Sequence, residues 1–349
     1  MIYFDVTKTS AARHQSGLMR LNGRLREELG AAVRPVSWDG RAQGWRDAAT
    51  RRPVPFAASD WLLTVEQFCE PERPGFWRFL RERPCRLAAV FCDAIPLQHP
   101  QIVWPQSVAR YPEYLKMLAA FDRVWAISEA SREDLTGFWR WQQAEVRAGV
   151  EVLALGADFN RKPRAEPSTL VPPPSTLLCV GILEPRKNQM FLLDVCEALW
   201  REGVSFELQL VGRVNPHFGR PLARRLQALR RSEPRVHHHT AVPDALLERQ
   251  YAAARATAAP TIAEGYGLPV LESLWHGRPC VCSDLPVLRE IAAGGGCVMA
   301  ATNDLAAWTA ALRTVLTDDG DWRRLAAEAA TRPLPAWADT ARTLLAGLA

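Results

Sequence analysis

The residues best suited to chemistry lie in one segment of the second half of the chain, from Glu264 to Glu272. Gly265 and Gly267 let the backbone approach a ligand closely, and Pro269 has the fixed φ and the missing N–H that suit the first turn of a helix. The free N–H groups and the positive dipole end of such a helix bind anions. The two carboxylates can accept hydrogen bonds from hydroxyls. This segment therefore predicts a site for a ligand with both phosphate and hydroxyl groups.

A second polar cluster follows an apolar run that is typical of a buried strand. Gly181 permits close backbone approach, and Asn188 is the expected N-cap of the helix that comes next. Arg186 and Lys187 place two cations at the start of that helix, where positive charge is unfavourable unless an anion compensates it. Arg213, after the next strand, could add a third cation. The cluster therefore predicts a phosphate site.

Both halves of the chain alternate short apolar runs with helix-like stretches. This alternation predicts an α/β protein with two Rossmann-like domains that face each other across a cleft, where the carboxyl ends of parallel sheets bind ligands. We expect an N-terminal, acceptor-binding domain over residues 1–160 and a C-terminal, donor-binding domain over 161–330, joined by the proline-rich segment 165–175. A final helix within 331–349 is expected to pack back on the first domain. The predicted strands are Ile2–Val6, Trp61–Val65, Leu87–Cys92, Val124–Ser128, Leu177–Val180, Glu207–Val211, Ala258–Ile262 and Pro279–Ser283.

Length and composition set the broad class. A chain of 349 residues with 48% apolar residues has room for two domains with substantial cores. The formal charge of +5 suits a polyanionic ligand or an anionic membrane surface, but the positive residues form no long run, so nucleic acid is not an expected partner. The scattered cysteines lack C-x-x-C pairs, which predicts reduced thiols and no metal site. With no signal peptide and no long apolar run, we expect a cytoplasmic protein, soluble or peripheral on the inner face of the membrane.

The spacing of Glu264 and Glu272 resembles the E-x7-E signature of the retaining GT-B glycosyltransferases, especially glycosyltransferase family 4. The resemblance covers most of the chain and implies the GT-B fold. It also implies that Glu264 lies beside the donor sugar and that Glu272 binds the ribose hydroxyls. The intervening turn from Gly265 to Leu268, which includes Tyr266, is then expected to contact the donor.

The strand, loop and helix that begin at Val180 are similar to the family elements that carry the diphosphate-binding cations. Lys187 keeps the family position. Many members have arginine directly after the glycine, where this chain has Ile182. Arg186 or Arg213 is therefore expected to take over part of the phosphate binding.

In the first half, Asp93 follows an apolar strand and falls at the edge of the predicted cleft. The family often has histidine before this aspartate, where the chain has Cys92, so Asp93 is the expected polar participant in catalysis. The alternative is a cap of the following turn. Ser16 and Gly17 resemble the family's glycine loop between donor phosphates and acceptor.

The resemblance implies a hexosyltransferase that moves a sugar from a nucleotide-diphosphate sugar to a glycan or lipid-linked glycan acceptor, without a metal or other cofactor. Glu264, Lys187 and Asp93 are the expected catalytic residues. The Glu-Pro-Arg-Lys-Asn sequence is similar to that of members that build bacterial surface polysaccharides, which favours GDP-mannose as the donor. Two alternatives remain open, a catalytically silent protein that binds nucleotide sugars or glycans and a nucleotide-sugar epimerase of the same fold.

The segment from Arg73 to Arg83 mixes aromatic and basic residues, as does Phe138–Trp141. Such a mixture suits an anionic membrane interface. The alternative for the first segment is an ordinary helix that buries Trp77 and Leu80.

Overall fold

The computed structural model describes residues 1–11, 17–158, 163–164, 176–240 and 242–349. The chain divides into two compact units, one formed by Met1–Gly156 with Ala336–Ala349 and the other by Ala157–Pro335. The sequence predicted boundaries after residues 160 and 330. The predicted linker, 165–175, lies outside the described residues.

The first unit is built on a mostly parallel sheet that, within the described residues, has seven strands: β1 (Ile2–Asp5), β2 (Val33–Asp39), β3 (Gly44–Asp47), β4 (Trp61–Thr64), β5 (Arg86–Phe91), β6 (Arg123–Ala126) and β7 (Gly149–Val152). Their order in the sheet is β3-β2-β1-β4-β5-β6-β7, and β3 runs antiparallel to β2. The α-helices of this part are α1 (Gly17–Leu29), α2 (Phe76–Glu82), α3 (Ile95–Gln98), α4 (Pro105–Ala119) and α5 (Glu129–Trp141).

The second unit has a parallel sheet whose described strands are β8 (Thr176–Val180), β9 (Glu207–Val211), β10 (Val236–His239), β11 (Ala256–Ala259), β12 (Cys280–Ser283) and β13 (Cys297–Ala300). Their order is β10-β9-β8-β11-β12-β13, with parallel pairing throughout these strands. The helices are α6 (Gln189–Arg201), α7 (Arg220–Ser232), α8 (Asp244–Ala253), α9 (Leu268–Trp275), α10 (Pro286–Ala292), α11 (Leu305–Thr317) and α12 (Asp319–Thr331).

Two of the strands that the sequence pattern missed, β2 and β7, lack a continuous apolar run, whereas the missed edge strand β13 is apolar. Strand β2 contains Arg34 and Pro35, and the edge strand β7 leaves most of its residues exposed. Strands β4 and β8, which the pattern predicted, are buried almost throughout. Strands that helices cover on both faces need such runs, whereas edge strands do not.

The last helix, α13 (Trp337–Gly347), belongs to the first unit and packs against α1. Trp337 and Leu344 are buried, and the Arg24 guanidinium lies 5.9 Å from the centroid of the Trp337 ring. The backbone at Gly156 lies very close to the start of α13, since a Cβ added to Gly156 would be only 2.2 Å from the Trp337 nitrogen. The amphipathic pattern of the final helix thus covers an apolar face of the first unit.

The suggestion that the segment from Arg73 to Arg83 faces an anionic membrane is wrong for Arg73. Its side chain is only 1% exposed, and its guanidinium lies 2.7 Å from Asp5 Oδ2 and 2.5 Å from Glu66 Oε2, so it cannot reach a lipid headgroup. Leu80 is buried and Arg81 exposed, as the alternative of an ordinary helix predicts, although Trp77 is only half-buried. Across the described residues, no helix has the length and apolarity needed to cross a bilayer.

We expect Arg73→Gln to lower the free energy of unfolding by about 3–5 kcal/mol, because it leaves two buried carboxylates without their cation. Chemical denaturation monitored by circular dichroism measures this effect. Arg81→Gln, at an exposed position of α2, is the matched control and should change stability by less than about 0.5 kcal/mol. Equal stability of the two variants would contradict the structural role of Arg73.

Candidate active site

The candidate site lies at the point where the second sheet reverses its strand order. From β8 the chain proceeds outward to β9 and β10 and then returns to β11 on the other side of β8. Open α/β sheets bind ligands in the crevice at the carboxyl ends of the strands on either side of such a point. The loops that follow β8 and β11 are the two segments that the sequence singled out.

Backbone and hydroxyl contacts join these two loops. The Ile262 nitrogen donates to the Arg186 carbonyl oxygen at 2.8 Å, and Thr261 Oγ1 donates to the same oxygen at 3.0 Å. Thr261 Oγ1 also lies 2.8 Å from the carbonyl oxygen of Ala263. The loop that carries the two cations is therefore held against the start of the glycine-rich turn.

Three charged side chains meet between the loops. Lys187 Nζ contacts Glu264 Oε2, and Arg186 Nη1 lies 3.3 Å from Glu264 Oε1. The three side chains are 12–19% exposed. Desolvation acts to raise the pKa of Glu264, but the charges of Lys187 and then Arg186 outweigh it, so that this pKa is lowered. Glu264 is thus an anion that compensates the charges of Arg186 and Lys187.

Arg186 is held from a second side by Glu184, which the sequence interpretation quoted without giving it a role. Arg186 Nε donates to Glu184 Oε1 at 3.1 Å, and Asn215 Nδ2 donates to Glu184 Oε2 at 2.9 Å. Arg186 Nη1 also donates to the Ala263 carbonyl oxygen at 3.1 Å. The side chain of Arg186 is therefore fixed in the site rather than solvated.

The expected helix cap by Asn188 is wrong. Asn188 stands at the N-cap position of α6 in a left-handed conformation, and its side chain makes no capping hydrogen bond. Its Nδ2 instead donates to Asn303 Oδ1 at 2.9 Å. Arg186 and Lys187 lie in a short 3-10 turn before the helix, so the chain turns sharply between the cations and α6.

Two glycines bring Arg213 close to the cation loop. Gly181 and Gly212 have φ values of +151° and +154°, and a Cβ added to Gly212 would lie 2.0 Å from the Gly181 carbonyl oxygen. The Leu183 nitrogen donates to the Arg213 carbonyl oxygen at 2.9 Å. Arg213 Nε is buried and has no hydrogen-bond partner within the described part of the chain. The backbone of Arg213 is thus joined to the cation loop, while its role in binding phosphate stays a prediction.

The turn from Gly265 to Gly267 leads into α9 in a confined space. Gly267 has φ +111° at the N-cap position, and an added Cβ would lie 2.7 Å from Leu288 Cδ2. Leu268 begins the helix, and Pro269 lies in its first turn. Lys187 and Glu264 line a small cavity together with Gly267 and Pro269. The cavity is therefore bordered by a cation, a carboxylate and the start of a helix.

Glu272 lies farther along α9 and is only 4% exposed. Tyr251 donates its hydroxyl to Glu272 Oε2 at 2.8 Å. Sequence reasoning missed Tyr251, because no local motif links a tyrosine on α8 to a carboxylate on α9. The half-buried Tyr266 lies in the turn before this helix, and the Gly265 that precedes it is buried.

The remaining predicted residues belong to the first unit. Asp93 follows β5, and its Oδ1 accepts a hydrogen bond from the Ile95 nitrogen at 3.0 Å, which is the turn-capping role kept as the alternative. Burial raises the pKa of the neighbouring Cys92 thiol, so this side chain stays uncharged at neutral pH. Gly17 is the exposed first residue of α1, whereas Ser16 lies outside the described residues.

One pair of aspartates, Asp319 and Asp321, has a spacing that could bind a metal, but both side chains are paired with arginines. Asp319 and Asp321 have the D-x-D spacing, which the sequence interpretation passed over, but Asp319 accepts from Arg255 and Asp321 from Arg324. Within the described ranges, no group of three or more His, Cys, Asp or Glu side chains is arranged to hold a metal ion.

Comparisons with known proteins agree with this architecture. Residues 174–318 match the model of the family described as glycosyl transferases group 1. Sucrose-phosphate synthase from Thermosynechococcus elongatus superposes with a TM-score of 0.72, 16% identity and 99% coverage of both chains. WaaG, a glycosyltransferase involved in lipopolysaccharide biosynthesis, superposes with a TM-score of 0.63 and 17% identity over 99% of this chain and 100% of its own.

Two curated Escherichia coli proteins are similar in sequence. The serotype-specific mannosyltransferase WbdA is 27% identical over 260 residues, which are 69% of this chain and 31% of that protein. The O-antigen chain mannosyltransferase B is 35% identical over 150 residues, which are 43% of this chain and 38% of that protein. The chain thus spans about a third of the length of these relatives.

The two α/β units thus have the GT-B fold of these solved structures, with the cation–carboxylate site at the strand reversal of the second sheet. The second unit contains the region, residues 174–318, that is similar to the family described as glycosyl transferases group 1.

We expect Gly212→Ala to lower the free energy of unfolding of the second unit by more than about 1 kcal/mol, because its φ is unfavourable for alanine and its Cβ would collide with the Gly181 backbone. Thermal unfolding measures this change. Gly23→Ala is the control, since nothing lies within 4 Å of a Cβ at this position inside α1. The control should be neutral or stabilising by up to about 1 kcal/mol. Unchanged stability of Gly212→Ala would contradict the close approach of the two loops.

Proposed function

We propose that this chain is a retaining hexosyltransferase that transfers a sugar from a nucleotide-diphosphate sugar to a glycan or lipid-linked glycan, with GDP-mannose as the first candidate donor. The observation that carries the proposal is the cluster of Arg186, Lys187 and Glu264 at the carboxyl ends of β8 and β11. Cations in such a crevice suit a diphosphate, and a carboxylate beside them suits the hydroxyls of a sugar.

The ion pairs of Lys187 and Arg186 with Glu264 suggest how the donor binds. Lys187 is paired with Glu264 and lines the cavity with it. An incoming diphosphate offers Lys187 a stronger anion, so the lysine exchanges one partner for the other. Glu264 is then available to accept hydrogen bonds from the sugar hydroxyls. Arg186 stays anchored by Glu184 and limits the movement of the loop during this exchange.

The same groups act in the chemical step. When the anomeric carbon–oxygen bond breaks, its electron pair moves to the phosphate oxygen, and the charge of the leaving diphosphate increases. Preorganised cations and N–H groups stabilise such a developing charge, which is the role of Lys187, Arg213 and the turn at Gly267. The acceptor oxygen attacks from the same face and gives its proton to the leaving phosphate. No metal is needed in this scheme.

The names of the relatives support the choice of donor and process. The two curated relatives are described as mannosyltransferases, one of them of the O-antigen chain, which favours a mannosyl donor and a role in surface polysaccharide synthesis. A UDP-sugar is the competing donor, because the similar structure of HepE from Anabaena was solved in complex with UDP and glucose. A lipid-linked acceptor would place the enzyme at the inner face of the membrane.

We expect the full chain to consume GDP-mannose in the presence of EDTA, in a panel of GDP-, UDP- and dTDP-sugars assayed for nucleoside diphosphate release. Slow donor hydrolysis counts as turnover when no acceptor is supplied. Stabilising binding with neither transfer nor hydrolysis would support the silent binding protein instead. Activity that is lost in EDTA and restored by a divalent ion would contradict the metal-free scheme.

We expect Lys187→Ala to reduce kcat/KM by about 30-fold to several thousand-fold, because it removes one partner of a largely buried charge pair that serves both binding and leaving-group stabilisation. Arg186→Ala should reduce kcat/KM by at least about tenfold, because it loses hydrogen bonds to two carboxylates. Arg201→Ala, at the exposed end of α6, is the control and should stay within about twofold. A folded Lys187→Ala enzyme with unchanged steady-state kinetics would contradict the phosphate site.

A further inference from the structure

We propose that Tyr251 is a positioning residue that prepares Glu272 to recognise the ribose hydroxyls of the donor. The inference rests on the proposed function, because it concerns the same nucleotide-sugar site. Tyr251 lies on α8, is completely buried, and donates its hydroxyl to Glu272 Oε2 at 2.8 Å. It therefore acts on a side chain of the site from the neighbouring helix.

The ring of Tyr251 is fixed on both sides. Its hydroxyl lies 3.5 Å from the Pro269 carbonyl oxygen, and its ring stacks on His276 with a centroid distance of 5.3 Å and an interplanar angle of 7°. Pro269 and His276 mark the two ends of α9, with Glu272 between them. Tyr251 also packs with Leu178 of β8 and Val211 of β9. The tyrosine thus connects α9 to the strands that carry the phosphate-binding loops.

The chemistry of the pair explains the need for this contact. A buried carboxylate loses its water and must find hydrogen-bond donors, and a phenol supplies one without adding charge. A carboxylate has two oxygens and about four acceptor positions, so Glu272 can accept from Tyr251 and from vicinal hydroxyls at the same time. A carboxylate that is already oriented loses less conformational freedom when the ligand binds. The contribution of Tyr251 is therefore specific to ligands that carry ribose hydroxyls.

The test compares GDP with 2′,3′-dideoxy-GDP, and UDP with its dideoxy analogue, by calorimetry on the full chain. The wild type should bind the ribose form more tightly. Tyr251→Phe keeps the ring stack, and it should weaken binding of the ribose form by about three- to tenfold while leaving the dideoxy form within twofold. Glu272→Ala should abolish the discrimination, and Tyr251→Phe should add nothing further in the double variant. In turnover assays, Tyr251→Phe should raise the donor KM and leave kcat within about twofold.

Tyr114→Phe is the matched control, because it removes the hydroxyl of another buried tyrosine from the first unit and should leave both ligands unaffected. Equal weakening of ribose and dideoxy ligands by Tyr251→Phe would overturn the inference and assign the residue to general packing. Full additivity with Glu272→Ala would overturn it as well. If the wild type bound neither GDP nor UDP, the proposed function would fail and the inference with it.

Discussion

The ion pair between Lys187 and Glu264 is the contact on which the candidate site depends. It joins the loop after β8 to the loop after β11, the two strands between which the sheet reverses its direction of growth. Each charge makes the burial of the other tolerable, since an unpaired lysine or glutamate at this depth would be strongly disfavoured. The two loops are consequently held together by a pair of opposite charges at the carboxyl ends of β8 and β11.

The two units use buried charges in different ways. In the first unit, Arg73 is almost fully enclosed and forms ion pairs with Asp5 and Glu66, whose carboxylates also accept hydrogen bonds from backbone N–H groups of the segment after β1. That arrangement fixes the chain. In the second unit, Lys187 and Glu264 keep 12–14% exposure and face a cavity. Similar charged groups are thus enclosed in one unit and partly exposed beside a cavity in the other.

The sequence comparisons cover only part of this chain and only part of its relatives. The chain matches about 260 residues of the mannosyltransferase WbdA, less than a third of that protein. The matched family region, 174–318, contains the cation loop, the glycine-rich turn and Tyr251. The family comparison therefore bears most directly on the second unit.

The sequence by itself determined the fold class and singled out the two loops that meet at the strand reversal of the second sheet. Buried parallel strands require continuous apolar runs, and glycine, proline and charged residues directly after such runs mark the loops where ligands bind. The pattern missed β2, which contains Arg34 and Pro35, and the edge strand β7, most of whose residues are exposed. These signals are local, so they can be read without knowing the neighbours of each residue.

Only the tertiary structure decided which side chains meet. The pairing of Glu264 with Lys187, the anchoring of Arg186 by Glu184, the enclosure of Arg73 and the contact of Tyr251 with Glu272 all depend on how the chain folds around each residue. The local sequence around an arginine with aromatic neighbours is the same whether its side chain faces solvent or a buried carboxylate. Burial and partner are fixed by packing between distant segments, which no local pattern encodes.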